Sequence, residues 1–172
     1  MRKSLLLSAL VAGLGLAASA QTADQFVKEA AVGGMTEVDL GKLAKDKGSS
    51  DTVKQFGQKM VDDHSRINDD LKTVAKKKNI DLPTALDAKH QAVVDRLSKL
   101  SGAEFDRAYS TEMVRDHQED VKEFQKQANS ASDPDVKSFA SNNLPTLQEH
   151  LKMAKDMSKG KPSRGTSDRS KQ

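Results

Sequence analysis

Apolar side chains recur along this chain at intervals of three and four residues, the period of amphipathic helices, from Ala23 to Met157. Thr22 and Gln25 form a capping box that opens a first helix. Its stripe of Phe26, Ala30, Gly33, Glu37, Leu40 and Ala44 runs toward Lys47, and Gly48 stops it. A second helix spans 51–78 with the stripe Val53, Phe56, Met60, His64, Ile67, Leu71 and Val74, and Asn79-Ile80-Asp81-Leu82-Pro83 breaks it. A shorter helix covers about 85–100, with Leu86, His90, Val93, Leu97 and Leu100 on one side. Ser101 and Glu104 read as another capping box, opening a helix to about Ala128 with the stripe Phe105, Tyr109, Met113, His117, Val121, Phe124 and Ala128. Asp133 caps the last helix, with Pro134 at its first position and the stripe Val136, Ala140, Asn143, Leu147, His150, Ala154 and Met157. Pro145 inside it predicts a kink.

Four long stripes and one short one predict an all-α fold, a four-helix bundle. The short helix and its turns are long enough to serve as a crossover of the ferritin-like kind, with an up-down bundle carrying a lid helix as the alternative. No strand-length stretch alternates apolar and polar residues, which argues against an outer-membrane barrel.

The two ends read differently. Arg2 and Lys3, the apolar run from Leu5 to Leu16, and Ala18-Ser19-Ala20 together spell a secretory signal cleaved after Ala20. The bundle would then occupy residues 21–158, followed by a basic Lys-, Ser-, Arg- and Gly-rich tail, 159–172, that cannot bury a core and is expected to be disordered. The chain of 172 residues carries a net charge of +3, but the ends hold the excess and residues 21–158 come to −3. That balance, with no Trp and 3% aromatic residues, speaks against a nucleic-acid surface. The absence of Cys excludes disulfides, thiolate metal sites and a lipoprotein anchor. No second long apolar run follows the leader, so the sequence points to a protein of the periplasm without a transmembrane segment.

Polar residues interrupt the stripes in a concerted way. Glu37, His64, His117 and His150 each stand where the period calls for a core residue, and each lies near the middle of its helix. At 1.5 Å per residue they fall at similar heights in a bundle whichever way the helices run. A carboxylate and three imidazoles there would suit Zn, Fe, Ni or Cu. Without metal, Glu37 could accept from one or two of the His, with Tyr109 or Asp106 completing a closed polar network that fixes helix register. The carboxylates preceding each His, Asp63, Asp116 and Glu149, cannot share a face with their own imidazole but could orient one on a neighbouring helix, or simply face water. His90 reads as a packed or rim residue, and Gly33-Gly34 as a close helix contact. No H-E-x-x-H, G-x-S-x-G or phosphate-loop motif is present.

Phe56-x-x-x-Met60-Val-Asp-Asp-His64 matches Tyr109-x-x-x-Met113-Val-Arg-Asp-His117, as two related bundle halves or a shared packing demand would produce. These motifs, with Glu37-Val-Asp-Leu-Gly-Lys-Leu-Ala44, Ser101-Gly-Ala-Glu-Phe-Asp106 and Leu144-Pro-Thr-Leu-x-Glu-His150-Leu, resemble the domain of unknown function 4142 family over nearly all of residues 24–157. The resemblance implies an exported bacterial protein with a ferritin-like helical fold and no established activity. Ferritin-like di-iron sites use a Glu from each of two helices and Glu-x-x-His from the other two, whereas Val61, Val114 and Leu147 precede these His by three residues, so ferroxidase chemistry lacks half its bridging carboxylates. Two classes of function follow. One is an exported bundle acting structurally, through an envelope partner, or in envelope stress, with no enzymatic activity. The other is a metal-binding or redox protein using Glu37, His64, His117 and His150.

Overall fold

The computed structural model describes residues 22–160. Five helices follow one another: α1 (Ala23–Lys47), α2 (Asp51–Lys78), α3 (Ala88–Ser98), α4 (Gly102–Ser130) and α5 (Pro134–Ser158). The leader, its cleavage point and the tail beyond Gly160 lie outside the described residues. None of the described helices is long and apolar enough to cross a membrane.

Helix ends follow the local chemistry, with two exceptions. Thr22 accepts from the Gln25 backbone N–H at 3.2 Å in a complete capping box, and Asp133 accepts from the N–H groups of Asp135 and Val136 ahead of Pro134. Ser101, however, makes no side-chain cap, and Gly102 enters α4 with φ +59°. The short helix begins at Ala88, three residues later than the apolar spacing suggests, because the Asp87 carboxylate caps it through the His90 N–H at 2.8 Å. Asn79, in the left-handed region at φ 54°, ends α2, and α5 passes through Pro145 as one helix.

The four long helices form two antiparallel pairs, α1 with α2 and α4 with α5, and α2 also packs on α5. Connectivity is set by two tethers at opposite ends. Gly48 and Gly102 form an isolated parallel bridge, which places the end of α1, the start of α2 and the start of α4 together. At the other end Lys78 forms an ion pair with Asp133, joining the end of α2 to the start of α5, and Lys77 meets Asp135 at 3.3 Å. The α2 and α4 helices therefore run parallel, and the segment 79–101, with α3 lying on α1, must climb the length of the bundle. This is the crossover arrangement of ferritin-like bundles.

Asp106 holds the first tether. Its carboxylate accepts from the backbone N–H groups of Ser49 and Ser50, both at 2.9 Å, and from Ser49 Oγ at 2.6 Å. An α4 side chain thus caps the start of α2, and Asp106 takes no part in the central polar cluster that the sequence suggested it could complete. Partial burial pushes its pKa up, but these donors outweigh burial and hold the carboxyl below its ordinary 3.8. Replacing Asp106 with Ala should cost roughly 1 kcal/mol, the usual loss of a cap. Because the folded pKa is depressed, that contribution is fully present above the unfolded value of 3.8 and fades as pH falls through the folded one. Urea melts of wild type and variant should thus differ at neutral pH and converge in acid.

Two apolar cores fill the bundle. One gathers Phe26, Ile67, Leu71, Phe124, Phe139 and Leu147; the other gathers Leu40, Phe56, Met60, Phe105, Met113 and Ala154. On every long helix the gap between the two is occupied by the polar residue that broke the stripe.

Candidate metal centre

Glu37, His117 and His150 have no exposed surface, and His64 has 3%. The imidazoles approach one another with ring centroids 5.3 Å apart for His64 and His150, 5.4 Å for His117 and His150, and 5.8 Å for His64 and His117. One ligating atom from each of the three lies within 4.8 Å of the other two. Tetrahedral nitrogen ligands about 2.0–2.1 Å from a zinc-sized ion stand about 3.4 Å apart, so small ring movements would close the trio on an ion. Phe56 walls the layer on one side, its ring centroid 6.3 Å from His117 and 6.4 Å from His150.

One ring nitrogen on each of two imidazoles is engaged. His117 Nδ1 lies 3.0 Å from the Met113 carbonyl oxygen, one turn back on α4, and donates to it. His150 Nε2 lies 2.8 Å from Asp63 Oδ2 and donates to the carboxylate. Each bond leaves the lone pair on the other ring nitrogen, and those atoms, His117 Nε2 and His150 Nδ1, have no partner. His64 Nε2 touches Glu37 Oε2, and His117 Nδ1 is 3.2 Å from Glu37 Oε1, yet neither contact has hydrogen-bond alignment. Neither imidazole thus donates to Glu37, whose remaining partner is the Asp116 carboxyl on α4, and the buried Tyr109 hydroxyl has no partner. Tyr109 and Asp106, the two residues the sequence offered to complete a polar network, do not join it. Asp106 is at the bundle end, and Tyr109 stacks on Phe105 at 5.4 Å without a partner for its hydroxyl.

The other carboxylates part company. Asp63 on α2 orients His150 on α5, and Lys59 Nζ steadies it at 3.0 Å. The hydrogen bond from His150 is the main reason the Asp63 carboxyl is held well below its ordinary 3.8. Asp116 has a ligating atom within 4.8 Å of both Glu37 and His117, forming a second trio. Glu149 is half exposed and meets only Lys59, at 3.7 Å, so it faces the surface. Spacing gave no sign of Asp120, which with His64 lines a small cavity. Its place in the α4 series 113, 116, 117, 120 is the signal that a helical reading could have used.

Burial dominates the electrostatics. Desolvation lowers the pKa of His64 to about 4 and lowers those of His117 and His150, so burial favours the neutral form of all three. Desolvation, then the charge of Asp116, raises the Glu37 carboxyl well above 4.5. Asp116 and Asp120 are raised too, first by desolvation. Burial thus disfavours charge on the carboxyls and on the imidazoles alike, and a bound cation would favour the carboxylate form. His90, by contrast, pairs with Asp87 at 2.7 Å on the rim and stays outside the cluster. The two adjacent glycines also separate: a Cβ on Gly34 would collide with Asn68 Oδ1 at 2.0 Å, whereas one on Gly33 would meet nothing within 4 Å.

No curated protein matches the chain. Among solved structures, a Streptomyces coelicolor protein described as secreted and assigned to DUF305 superposes with a TM-score of 0.66 at 14% identity. The match covers 87% of this chain and 99% of that one, and it bears on the fold alone. The family model for DUF4142, a domain of unknown function, matches residues 12–157; the chain belongs to that family.

Proposed function

We propose that this is an exported protein that holds one transition-metal ion in its bundle core, on His64, His117, His150 and Glu37. One observation carries the reading. Two imidazoles have their N–H groups satisfied by Met113 and Asp63, so that the other nitrogen of each ring is buried with its lone pair unpartnered. Each buried polar atom left unpaired costs about 1–3 kcal/mol, a cost that coordination would remove. Three neutral nitrogens with a carboxylate suit Zn, Fe, Ni or Cu rather than Mg or Ca. Export is supported by the leader pattern of Arg2 to Ala20.

Protein purified without an affinity tag should contain close to one such ion per chain by elemental analysis. Stripping it with chelator should lower the melting temperature, because a ligand bound only by the folded state stabilises that state. A metal-free protein whose melt ignores both chelator and added Zn, Fe, Ni or Cu would end this reading.

A further inference from the structure

A metal centre sealed between two apolar cores needs a way in, and one side of the bundle provides it. Between α1, α3 and α4 lies a cleft of about 560 Å³, and its lining includes Glu112, Asp116, Glu119 and Asp120. Seven acidic side chains line it against three Lys or Arg. Arg115 is held by Glu112 and by Glu119, the latter at 3.0 Å, and stands 4.0 Å from Asp116, while Asp87, Glu112 and Glu123 pair with His90, Arg96 and Lys126. Asp116, in the cleft lining, meets the fully buried Glu37 carboxyl of the core.

A second, smaller space lies directly behind. This cavity of about 20 Å³, roomy enough for a single water, is bounded by Gly33, His64 and Asp120 among others. Ala30, Gly33, Asp120 and Phe124 line both the cleft and this cavity, so the two spaces adjoin at these residues. At Gly33 there is no side chain, and the space a Cβ would take is open. The gap is not required for packing, since α1 meets α2 through Gly34 and Gly41.

We propose that this cleft captures a divalent transition-metal cation on Asp116 and Asp120 and passes it across Gly33 to His64. Carboxylate oxygens take the partly hydrated ion next to Glu37. The imidazole nitrogens then displace water and carboxylate oxygen as the ion moves inward. The focused negative potential of the cleft draws cations to it, so uptake is fastest at low ionic strength.

The inference rests on the core-site reading, and one experiment separates the two. Cobalt(II) is added to chelator-stripped protein, and its uptake is followed by visible absorption in wild type, Gly33→Leu and Asp120→Asn. Filling the gap changes the barrier and not the end states. The Gly33→Leu variant should therefore slow uptake and chelator-driven release together, about tenfold, at unchanged affinity. The Asp120→Asn variant should take up cobalt several-fold more slowly, with a weaker dependence on salt. Gly33→Ala, which fills less of the gap, should fall between Gly33→Leu and wild type. Wild-type rates in both Gly33→Leu and Asp120→Asn, with cobalt still bound, overturn the route and leave the core site standing. A wild type that takes up no cobalt overturns the core site, and the route with it.

Discussion

Replacing His117 with Ala should abolish metal binding and, with it, any response of the melt to chelator. His117 sits at the centre of the cluster: its ring meets both other imidazoles, and Glu37 Oε1 lies 3.2 Å away. An ion present at a hundred times its Kd stabilises the folded state by about 2.7 kcal/mol. For a domain of this size that corresponds to about 5–10 °C of melting temperature. The wild-type melt should fall by about that amount on chelation, and the variant's should not move. A purely structural role predicts another pattern, in which the substitution lowers the melt equally with and without chelator. Asp63→Asn refines the test. Asn can still accept from His150 Nε2, so the fold should survive, but without the carboxylate's charge on the imidazole metal affinity should drop about 10–100-fold. Unchanged affinity in Asp63→Asn would mean that the contact between Asp63 and His150 does not serve the metal.

A single methyl group on Gly57 should unsettle the bundle more than most surface deletions. Its Cβ would stand 2.7 Å from both the Gly41 carbonyl oxygen and Ala44 Cβ, and Gly41 is equally close to the Gly57 carbonyl. Helix propensity alone favours Ala over Gly by about 1 kcal/mol. Here the obstacle is backbone, which cannot turn aside, so α1 and α2 must separate. Overpacking of this kind costs about 1–3 kcal/mol, enough to reverse the sign. Gly57→Ala should therefore lower the urea midpoint. The damage should reach the polar layer as well, because Glu37 and His64 ride on the two helices being pushed apart, and metal affinity should fall along with stability. A neutral or stabilised Gly57→Ala would show that α1 and α2 are not held at that separation.

The sequence by itself determined the helices and their polar layer. A period of three and four residues can bury its stripe only as a helix. The residues that break the stripes lie near mid-helix, so four unlike strands of evidence, on α1, α2, α4 and α5, place Glu37, His64, His117 and His150 at one height. Capping chemistry legible within a few residues fixed the starts at Ala23 and Pro134, because a cap involves only local backbone. Where a partner comes from far along the chain, local pattern was silent or misleading. Ser101 looks like a cap and does not act as one, while Asp106 looks like a core polar residue and instead caps another helix more than fifty residues away. The period says that Asp63 and Asp116 leave their own imidazole's face, but only the rotation of each helix about its axis decides what they meet: His150 for one, Glu37 and the cleft for the other. The same rotation separates two adjacent glycines, Gly34 against Asn68 and Gly33 over open space. Helical period sets which residues share a face, and only packing between helices decides where that face points.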